Sequence, residues 1–184
     1  LHNTGRRQRQ MCIRDRFPAG GETGNGGGII QVVQIVKTDR SSTQSSTYSD
    51  IPGLTANITV QSGNKVLVYA ELWIGDRGGY SSWVRLRRVN PNGSDTAPHL
   101  GNAYGSRTQA STGGYTDQNS YAQKMCSFMY LDTPSDYSGA NSYRCQWLAG
   151  YNGYTSYIGQ DYQGSDDSSR GLCPSTLTLF EVSS

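Results

Sequence analysis

A strict alternation of side chains between residues 65 and 89 most constrains the fold of this 184-residue chain. Val66, Val68, Ala70, Leu72 and Ile74 alternate with Leu67, Tyr69, Glu71 and Trp73. Because residues two apart share one face of a β-strand, this run predicts a half-buried strand. A Gly-rich stretch over residues 76–80 leads into a second run of the same kind, from Trp83 to Val89.

The two runs predict a β-hairpin centred near Gly79. In this register apolar side chains face apolar side chains on one surface, whereas a slip by one residue would destroy the match. On the other surface the register predicts two structural pairs, a salt bridge between Glu71 and Arg87 and a cation–π contact between Trp73 and Arg85. Arg88 is the exception, because it falls on the apolar face near the strand end.

The rest of the chain also has the pattern of strands joined by turns. Further strands are predicted at Ile29 to Lys37, Tyr48 to Ile51, Leu54 to Val60, Tyr121 to Asp132, Ser142 to Ala149 and Thr176 to Val182. A Pro52-Gly53 turn is expected to separate the second of these from the third. With 23 Gly, 13 Tyr and only 16% charged residues, the composition favours strands and loops over helices. The sequence therefore predicts an all-β, antiparallel sandwich or barrel.

The first residues of the chain look foreign to this domain. Met11-Cys-Ile-Arg-Asp-Arg16 resembles the translation of a transposase adapter used in sequencing libraries. We therefore assign residues 1–16 to a non-native adapter-derived segment, 17–28 to a Gly-rich linker and 29–184 to a single β-sandwich domain. Residues 1–28 hold five Arg against Asp15 and Glu22, so their removal turns the formal charge from +2 to −1. A nucleic-acid partner is therefore not expected.

The remaining sequence offers little support for a metal-binding site or a membrane-spanning segment. Three cysteines, Cys126, Cys145 and Cys173, lie outside the adapter segment, and no two of them form a Cys-x-x-Cys pair. For Cys126 and Cys145 we favour buried free thiols over a disulfide bridge. The group Asp161, Asp166 and Asp167 lacks the spacing of a calcium loop, so a solvated acidic loop is expected. No apolar run approaches the roughly 20 residues of a membrane span. Neither a cofactor nor membrane insertion is predicted.

Several short landmarks occur in order along the domain. They are Gly28-Ile-Ile-Gln-Val-Val-Gln34, Tyr48-Ser-Asp-Ile-Pro-Gly-Leu54, Asn64-Lys-Val-Leu-Val68, Tyr130-Leu-Asp-Thr-Pro134, Tyr143-Arg-Cys-Gln-Trp147 and Ser175-Thr-Leu-Thr-Leu-Phe-Glu-Val182. The ordered set resembles a domain at the C-termini of phage tail-fibre and other virion structural proteins, especially marine ones.

That resemblance implies a jelly-roll-like sandwich, similar in fold to complement C1q and tumour-necrosis domains. It implies a homotrimer at the tip or along the shaft of a viral adhesion device, attached to an upstream fibre segment and located on the extracellular phage particle. The family has no catalytic residues to carry over.

Tyrosines cluster among Gly, Ser and Asn in the predicted loops, the combination that antibody paratopes use for binding. The candidate ligand-binding residues are Tyr104, Tyr115, Tyr151, Tyr154, Tyr157, Asp161 and Tyr162. Tyr151, Tyr154 and Tyr157 are three apart and are therefore expected in a loop rather than on one strand face. Aromatic faces can also stack on sugar rings. The alternative interpretation is that these tyrosines serve core rims and subunit contacts.

The sequence contains few of the residues and motifs that catalysis requires. Outside the adapter segment the one histidine is His99, interpreted as a surface loop residue, and no Gly-x-Ser-x-Gly motif occurs. The sequence therefore predicts a non-enzymatic adhesion domain that binds a glycan or protein receptor on bacterial cells. Three alternatives stay open: a capsid-decoration or other virion protein without a receptor, a polysaccharide depolymerase module, and a secreted cellular domain of the complement or tumour-necrosis type.

Overall fold

The computed structural model describes residues 28–76, 81–115, 122–150, 153–164 and 166–184, together with the backbone of residues 11–13. Its strands are β1 Met11–Ile13, β2 Ile29–Lys37, β3 Ser41–Thr43, β4 Ser49–Thr59, β5 Lys65–Asp76, β6 Ser81–Val89, β7 Asp95–Thr96, β8 Thr112–Tyr115, β9 Lys124–Asp132, β10 Ala140–Ala149, β11 Ser156–Ile158 and β12 Ser175–Val182. Every regular element in these ranges is a strand, which confirms the all-β prediction. Within the same ranges no helix has the length and apolar character needed to cross a membrane.

The strands form two antiparallel sheets. In the first sheet β2, β12, β5 and β9 lie side by side, β1 lines the outer edge of β2, and the short β3 and β11 continue the sheet beside the end of β5. In the second sheet β10 lies between β4 and β6, while β7 and β8 line the other edge of β6. The chain passes repeatedly from one sheet to the other, which is the connectivity of a jelly roll. The predicted antiparallel β-sandwich is confirmed.

The hydrophobic core lies between the sheets and follows the predicted alternation. The inward residues of β5 are all buried, and those of β12, Leu177 and Leu179, are fully buried, whereas Phe180 faces outward. From the second sheet Leu86, Tyr143 and Trp147 complete the core. Each fully buried Leu contributes roughly 1.5–3 kcal/mol relative to an exposed one.

The predicted hairpin between β5 and β6 is wrong. β5 pairs with β9, β11 and β12, whereas β6 pairs with β10, β7 and β8, so the two runs lie in opposite sheets. Their apolar faces still meet, but across the core. Neither predicted structural pair exists, because the four residues have other partners. Glu71 accepts a hydrogen bond from the Tyr69 hydroxyl at 3.1 Å, and Arg87 pairs with Asp95 at 2.6 Å. The Arg85 guanidinium lies 4.2 Å from the ring centre of Tyr48, and the Trp73 backbone N–H donates to Ser175 at 3.0 Å.

The predicted Pro52-Gly53 turn is also wrong, because β4 runs without interruption from Ser49 to Thr59. The pairing with β10 shifts between Arg144 and Gln146, so four residues of β4 around Gly53 bulge out of the ladder. Gly53 has a φ of 79°, a left-handed conformation that suits glycine. Pro52 cannot donate a backbone hydrogen bond, and the bulge places it where the ladder needs none.

Two other features inside the sandwich bear on the sequence predictions. Cys126 and Cys145 are buried free thiols, which confirms the favoured alternative. Arg88 does face the core, where its guanidinium donates to Asp132 at 2.6 Å. The apparent misfit of Arg88 is therefore half of a buried ion pair between β6 and β9.

The strand register defines two ends of the sandwich. At one end, here called the base, Val182 pairs with both Ile29 and Lys65, and the backbone N–H of Gly28 donates to Ser183. At the other, the loop end, β11 pairs with the last residues of β5 and the connection from β11 to β12 begins. Because β5 is 12 residues long, the two ends lie about 35 Å apart at roughly 3.3 Å per residue.

Candidate functional site

The connection between β11 and β12, residues 159–174, builds an open cleft at the loop end. Two adjoining depressions of about 430 Å³ and 360 Å³ share Asp161, Arg170 and Gly171 as lining residues. The larger is completed by Arg40, Gln160, Gly164, Asp166, Asp167 and Leu172, and the smaller by Gln123 and Ser169. This set is here called the Asp161 cleft.

A close approach of two backbones positions Asp161. Gly75 in β5 lies so near this connection that a Cβ atom there would overlap the carbonyl oxygen of Gln160 and lie 2.8 Å from the Cα of Asp161. Because only glycine leaves this space, the chain can turn across the end of β5. Asp161 is 3% exposed, so the expectation of a solvated position is wrong for this residue.

Asp161 is held by contacts within its own connection. Its Oδ1 accepts the backbone N–H of Gly164 at 2.8 Å and lies 3.6 Å from Nη1 of Arg170. Arg170 also lies 3.9 Å from Asp167 through its Nε atom. The Ser169 backbone N–H and hydroxyl donate to Asp167 and hold the pKa of that carboxyl below its usual range. The charged groups of Asp161, Asp167 and Arg170 are therefore held in place in the cleft by hydrogen bonds and ion pairs.

Gln123, just before β9, closes the cleft from another part of the chain. Its Nε2 donates to the carbonyl oxygen of Gly171 at 2.6 Å, which fixes the orientation of the amide. Its Oε1 is buried and has no hydrogen-bond partner within the described part of the chain. On the opposite rim Arg40 donates to Gln160 at 3.0 Å. The cleft is therefore lined by side chains from three separate parts of the chain.

Three of the candidate residues predicted from sequence come together here. Tyr162 follows Asp161, and its ring packs edge-on against Tyr157 with 5.9 Å between the ring centres. Tyr157 lies in β11, so its predicted loop position is wrong. Both tyrosines are half-buried. The result is an aromatic pair beside a polar cleft.

The other candidates do not join this group. Tyr104 is 74% exposed in the connection between β7 and β8, where Arg107 lies 5.5 Å from its ring centre. Tyr154 is half-buried just before β11, and the backbone of Tyr115 ends β8. Tyr151 lies outside the described residues.

The connection that carries Tyr104 also contains His99, which lies in a loop as predicted but is only partly exposed. The imidazole is half-buried and stacks on Tyr130 of β9 at 4.9 Å between ring centres. Ser111 donates to the His99 backbone carbonyl and accepts from the backbone N–H of Leu86. His99 therefore ties its connection to the edges of both sheets.

A second surface lies on the outer face of the first sheet. Met125, Met129 and Leu131 of β9 are exposed by 48%, 65% and 48%. Directly opposite them on β5 are Trp73, Tyr69 and Leu67, and opposite side chains in a ladder share one face. Phe180 and Val32 continue the row that starts at Leu131 and Leu67. We call this set the β9 apolar face.

Sequence reasoning missed Gln123, Gln160, Arg40 and Arg170 as parts of the cleft. Gln160 and Arg170 lie in the same connection as Asp161 but carry no motif. Arg40 and Gln123 come from distant parts of the chain, so only the fold brings them to the cleft. Among the described residues, no group of three or more His, Cys, Asp or Glu side chains is arranged to hold a metal ion.

Comparison with known proteins adds no family to these observations. No protein-family model matches the chain, and no curated protein matches it.

Proposed function

We propose that this chain is a non-enzymatic adhesion domain of a phage tail fibre or similar virion appendage, and that it binds a receptor on the bacterial surface. The resemblance of the ordered landmarks to phage tail-fibre domains supports the class. The jelly-roll sandwich is compatible with it.

One observation carries the proposal: the Asp161 cleft and the pair of Tyr157 and Tyr162 lie at the opposite end of the sandwich from Ile29. A domain joined to a fibre at its base would present these side chains about 35 Å further out. Rigid aromatic area beside small polar groups is suited to recognition. A domain surrounded by other proteins on all sides would gain nothing from presenting these side chains at its outer end.

Self-association is the second part of the proposal. Monomeric soluble proteins seldom expose large contiguous apolar patches, and larger ones mark interaction surfaces. The β9 apolar face spans four strands, so a second and third copy of this chain can cover it in a homotrimer. Symmetric repetition of a weak site would then raise the avidity for a cell surface.

Met129→Asp tests the assembly, because it places a charge at the most exposed position of the face. We expect the wild type to have three times the 20.1 kDa mass of the chain in light scattering, and the variant to be a folded monomer. Asn57→Asp, which adds the same charge at an exposed position of β4, is the control and should remain a trimer. A monomeric wild type would contradict this part of the proposal.

Binding to cells tests the adhesion function. Fluorescently labelled protein should bind a subset of strains in a panel of bacteria and should not bind phage particles. Because residues 1–28 carry a net positive charge, a sample with Arg6, Arg7 and Arg9 replaced by serine separates receptor binding from charge-driven adsorption. Loss of all cell binding in that sample would contradict the proposal.

Two rival functions give different results in the same assays. A decoration protein, favoured by the extent of the β9 apolar face, would bind virions and no cells. A depolymerase, favoured by the carboxylates at the cleft, would shorten surface polysaccharide, and Asp167→Asn would abolish the shortening. We expect the polysaccharide to keep its size.

A further inference from the structure

We propose that the arm formed by residues 101–110 packs on the β9 apolar face of a neighbouring copy of this chain, and that Arg107 of the arm pairs there with Glu71. This inference rests on the self-association proposed above and names the contact between the copies. The pair neutralises a charge that assembly would otherwise bury alone.

Glu71 lies in the middle of the β9 apolar face. Its neighbours in the ladder are Ser127 on β9 and Thr176 on β12, and the Tyr69 hydroxyl donates to it at 3.1 Å. These neighbours are uncharged, and Glu71 has no cation partner in the described part of the chain. A neighbouring copy that covers the face removes water from this carboxylate, which is strongly unfavourable unless a cation replaces the water.

Few cations are free to serve as that partner. In the described part of the chain, Arg40, Lys65, Arg85 and Arg107 have no carboxylate partner. If each copy joins a fibre at its base, the symmetry axis runs along the sandwich, and groups that pair between copies lie at the same level. Lys65 lies at the base, six residues from Glu71 on β5 or about 20 Å away. Arg40 lies at the loop end.

Arg85 is excluded by the side of the sandwich on which it lies. Its guanidinium lies on the outer face of the second sheet, over the ring of Tyr48. Contacts between opposite faces of a sandwich stack the copies in an open row and do not close a ring. Arg107 is therefore the cation that remains.

The connection that carries the arm lies at the level of Glu71. His99, two residues before the arm, stacks on Tyr130 at 4.9 Å and lies 5.8 Å from Phe128 between ring centres. Phe128 is opposite Ala70, the residue next to Glu71 on β5. The arm and the β9 side of the apolar face are therefore neighbours, so copies around an axis on this side can each place an arm on the next face.

Hydrogen bonds hold the arm in one conformation. At its neck the backbone N–H of Gly101 donates to the carbonyl oxygen of Ala110 at 3.2 Å, and at its tip the N–H of Arg107 donates to the carbonyl oxygen of Tyr104 at 3.1 Å. The Tyr48 hydroxyl donates to the Gln109 carbonyl oxygen at 2.7 Å and fixes the arm to the sandwich. An arm that is already ordered loses little conformational entropy on binding.

The tip of the arm exposes residue types that dominate protein interfaces. Residues 101–109 are all exposed, and Tyr104 is exposed by 74% with the Arg107 guanidinium 5.5 Å from its ring centre. Tyrosine and arginine are frequent hot spots of binding. Residues 96–116 contain no Asp or Glu, so no acidic side chain of this connection repels the carboxylate of Glu71.

Charge reversal tests the pair, with the mass in solution as the readout. Glu71→Arg and Arg107→Glu should each raise the concentration at which the trimer dissociates by at least about thirtyfold. Light scattering of either variant at micromolar concentration should then give the 20.1 kDa mass of one chain. The double variant restores opposite charges between copies and should again have three times that mass. Arg107 is exposed, so its reversal leaves the core intact, and thermal unfolding of each variant checks that it is folded.

Two further variants complete the test. Arg40→Glu is the matched control, because it reverses the charge of another exposed arginine without a carboxylate partner, away from the arm. It should remain a trimer. Tyr104→Ser removes the aromatic ring at the tip without a change of charge, and it should raise the dissociation concentration by about tenfold.

The outcomes separate this inference from the proposed function. A trimeric wild type whose single reversals stay trimeric, or whose double variant stays monomeric, would overturn the contact between Arg107 and Glu71 and leave self-association standing. Equal dissociation by Arg40→Glu would show a general effect of charge and would also overturn the contact. A monomeric wild type would overturn self-association itself, and this inference with it.

Discussion

Replacing Arg88 with methionine removes the cation from a buried ion pair that joins the two sheets. Arg88 on β6 donates to Asp132 at the end of β9 at 2.6 Å, and the Tyr143 hydroxyl of β10 donates to the same oxygen at 2.7 Å. All three side chains are buried. Burial opposes the charge of Arg88, but the hydrogen bond and charge of Asp132 leave its pKa raised. Burial and the neighbouring Asp132 also raise the pKa of Tyr143.

The magnitude follows from what each variant leaves behind. Arg88→Met leaves the Asp132 carboxylate buried with one remaining donor, so we expect a loss of about 3 kcal/mol from the free energy of unfolding, the lower end for a broken buried pair. Asp132→Asn leaves the cation without its counterion and should cost a similar amount. In the double variant neither charge remains, and the new amide oxygen at position 132 can still accept from Tyr143. The double variant should therefore be more stable than the sum of the single losses by about 2–3 kcal/mol.

Urea denaturation of the three variants and the wild type, followed by tryptophan fluorescence, measures these values. A common m-value among the four proteins is required for the comparison. Additive losses, or a loss under about 1 kcal/mol for Arg88→Met, would contradict this explanation, because they would mean that the pair is solvated or not formed.

Two further predictions concern single positions. Burial raises the pKa of the Cys145 thiol to about 12, so the folded state keeps a proton that the unfolded chain releases from about pH 8.5. The stabilisation from the protonated Cys145 thiol is complete below that pH and is lost as the pH rises towards 12. Between these pH values the free energy of unfolding of the wild type should therefore fall more steeply than that of Cys145→Val, by up to about 1.4 kcal/mol per pH unit. Equal slopes for the two proteins would contradict this prediction. Gly75→Ala should destabilise the fold by about 1–3 kcal/mol through overlap with the β11–β12 connection, whereas Gly101→Ala, with open space around it, should not. Equal melting temperatures for these two variants would contradict the close approach at Gly75.

The alternating pattern predicted most of the long strands but not how they pair. An apolar face is required of a strand in either sheet, because both sheets face one core. The apolar match between β5 and β6 that suggested a hairpin is therefore equally satisfied across the sandwich. Outward residues such as Glu71 and Arg87 gave no correct information on pairing, since solvent tolerates any neighbour.

Local chemistry was misleading at two places for a physical reason. Pro52-Gly53 is typical of a turn, but the same properties, a missing donor and a left-handed glycine, also suit a bulge within one strand. Arg88 broke the apolar pattern, and the sequence contained no sign that Asp132, 44 residues away, would compensate its charge. Long-range pairing decided both outcomes.

The candidate site was predicted in part. Tyr157, Asp161 and Tyr162 were selected from composition, and the fold brings these three together. The burial of Asp161 depends on the approach of Gly75 from a distant strand, and Gln123 arrives from a third segment. Nothing in the local sequence of the connection indicates either contact. The remaining tyrosines were selected by the same composition and lie elsewhere or outside the described residues.

Amide hydrogen exchange in the presence of surface polysaccharide from a strain that binds the protein would locate the receptor-binding surface on the sandwich. We expect slower exchange in the connection between β11 and β12, at residues 159–173, with the turns at the base unchanged. Protection confined to the base, around residues 61–64 and 133–139, or to the outer face of β9, would contradict the assignment of the loop end as the receptor-binding surface.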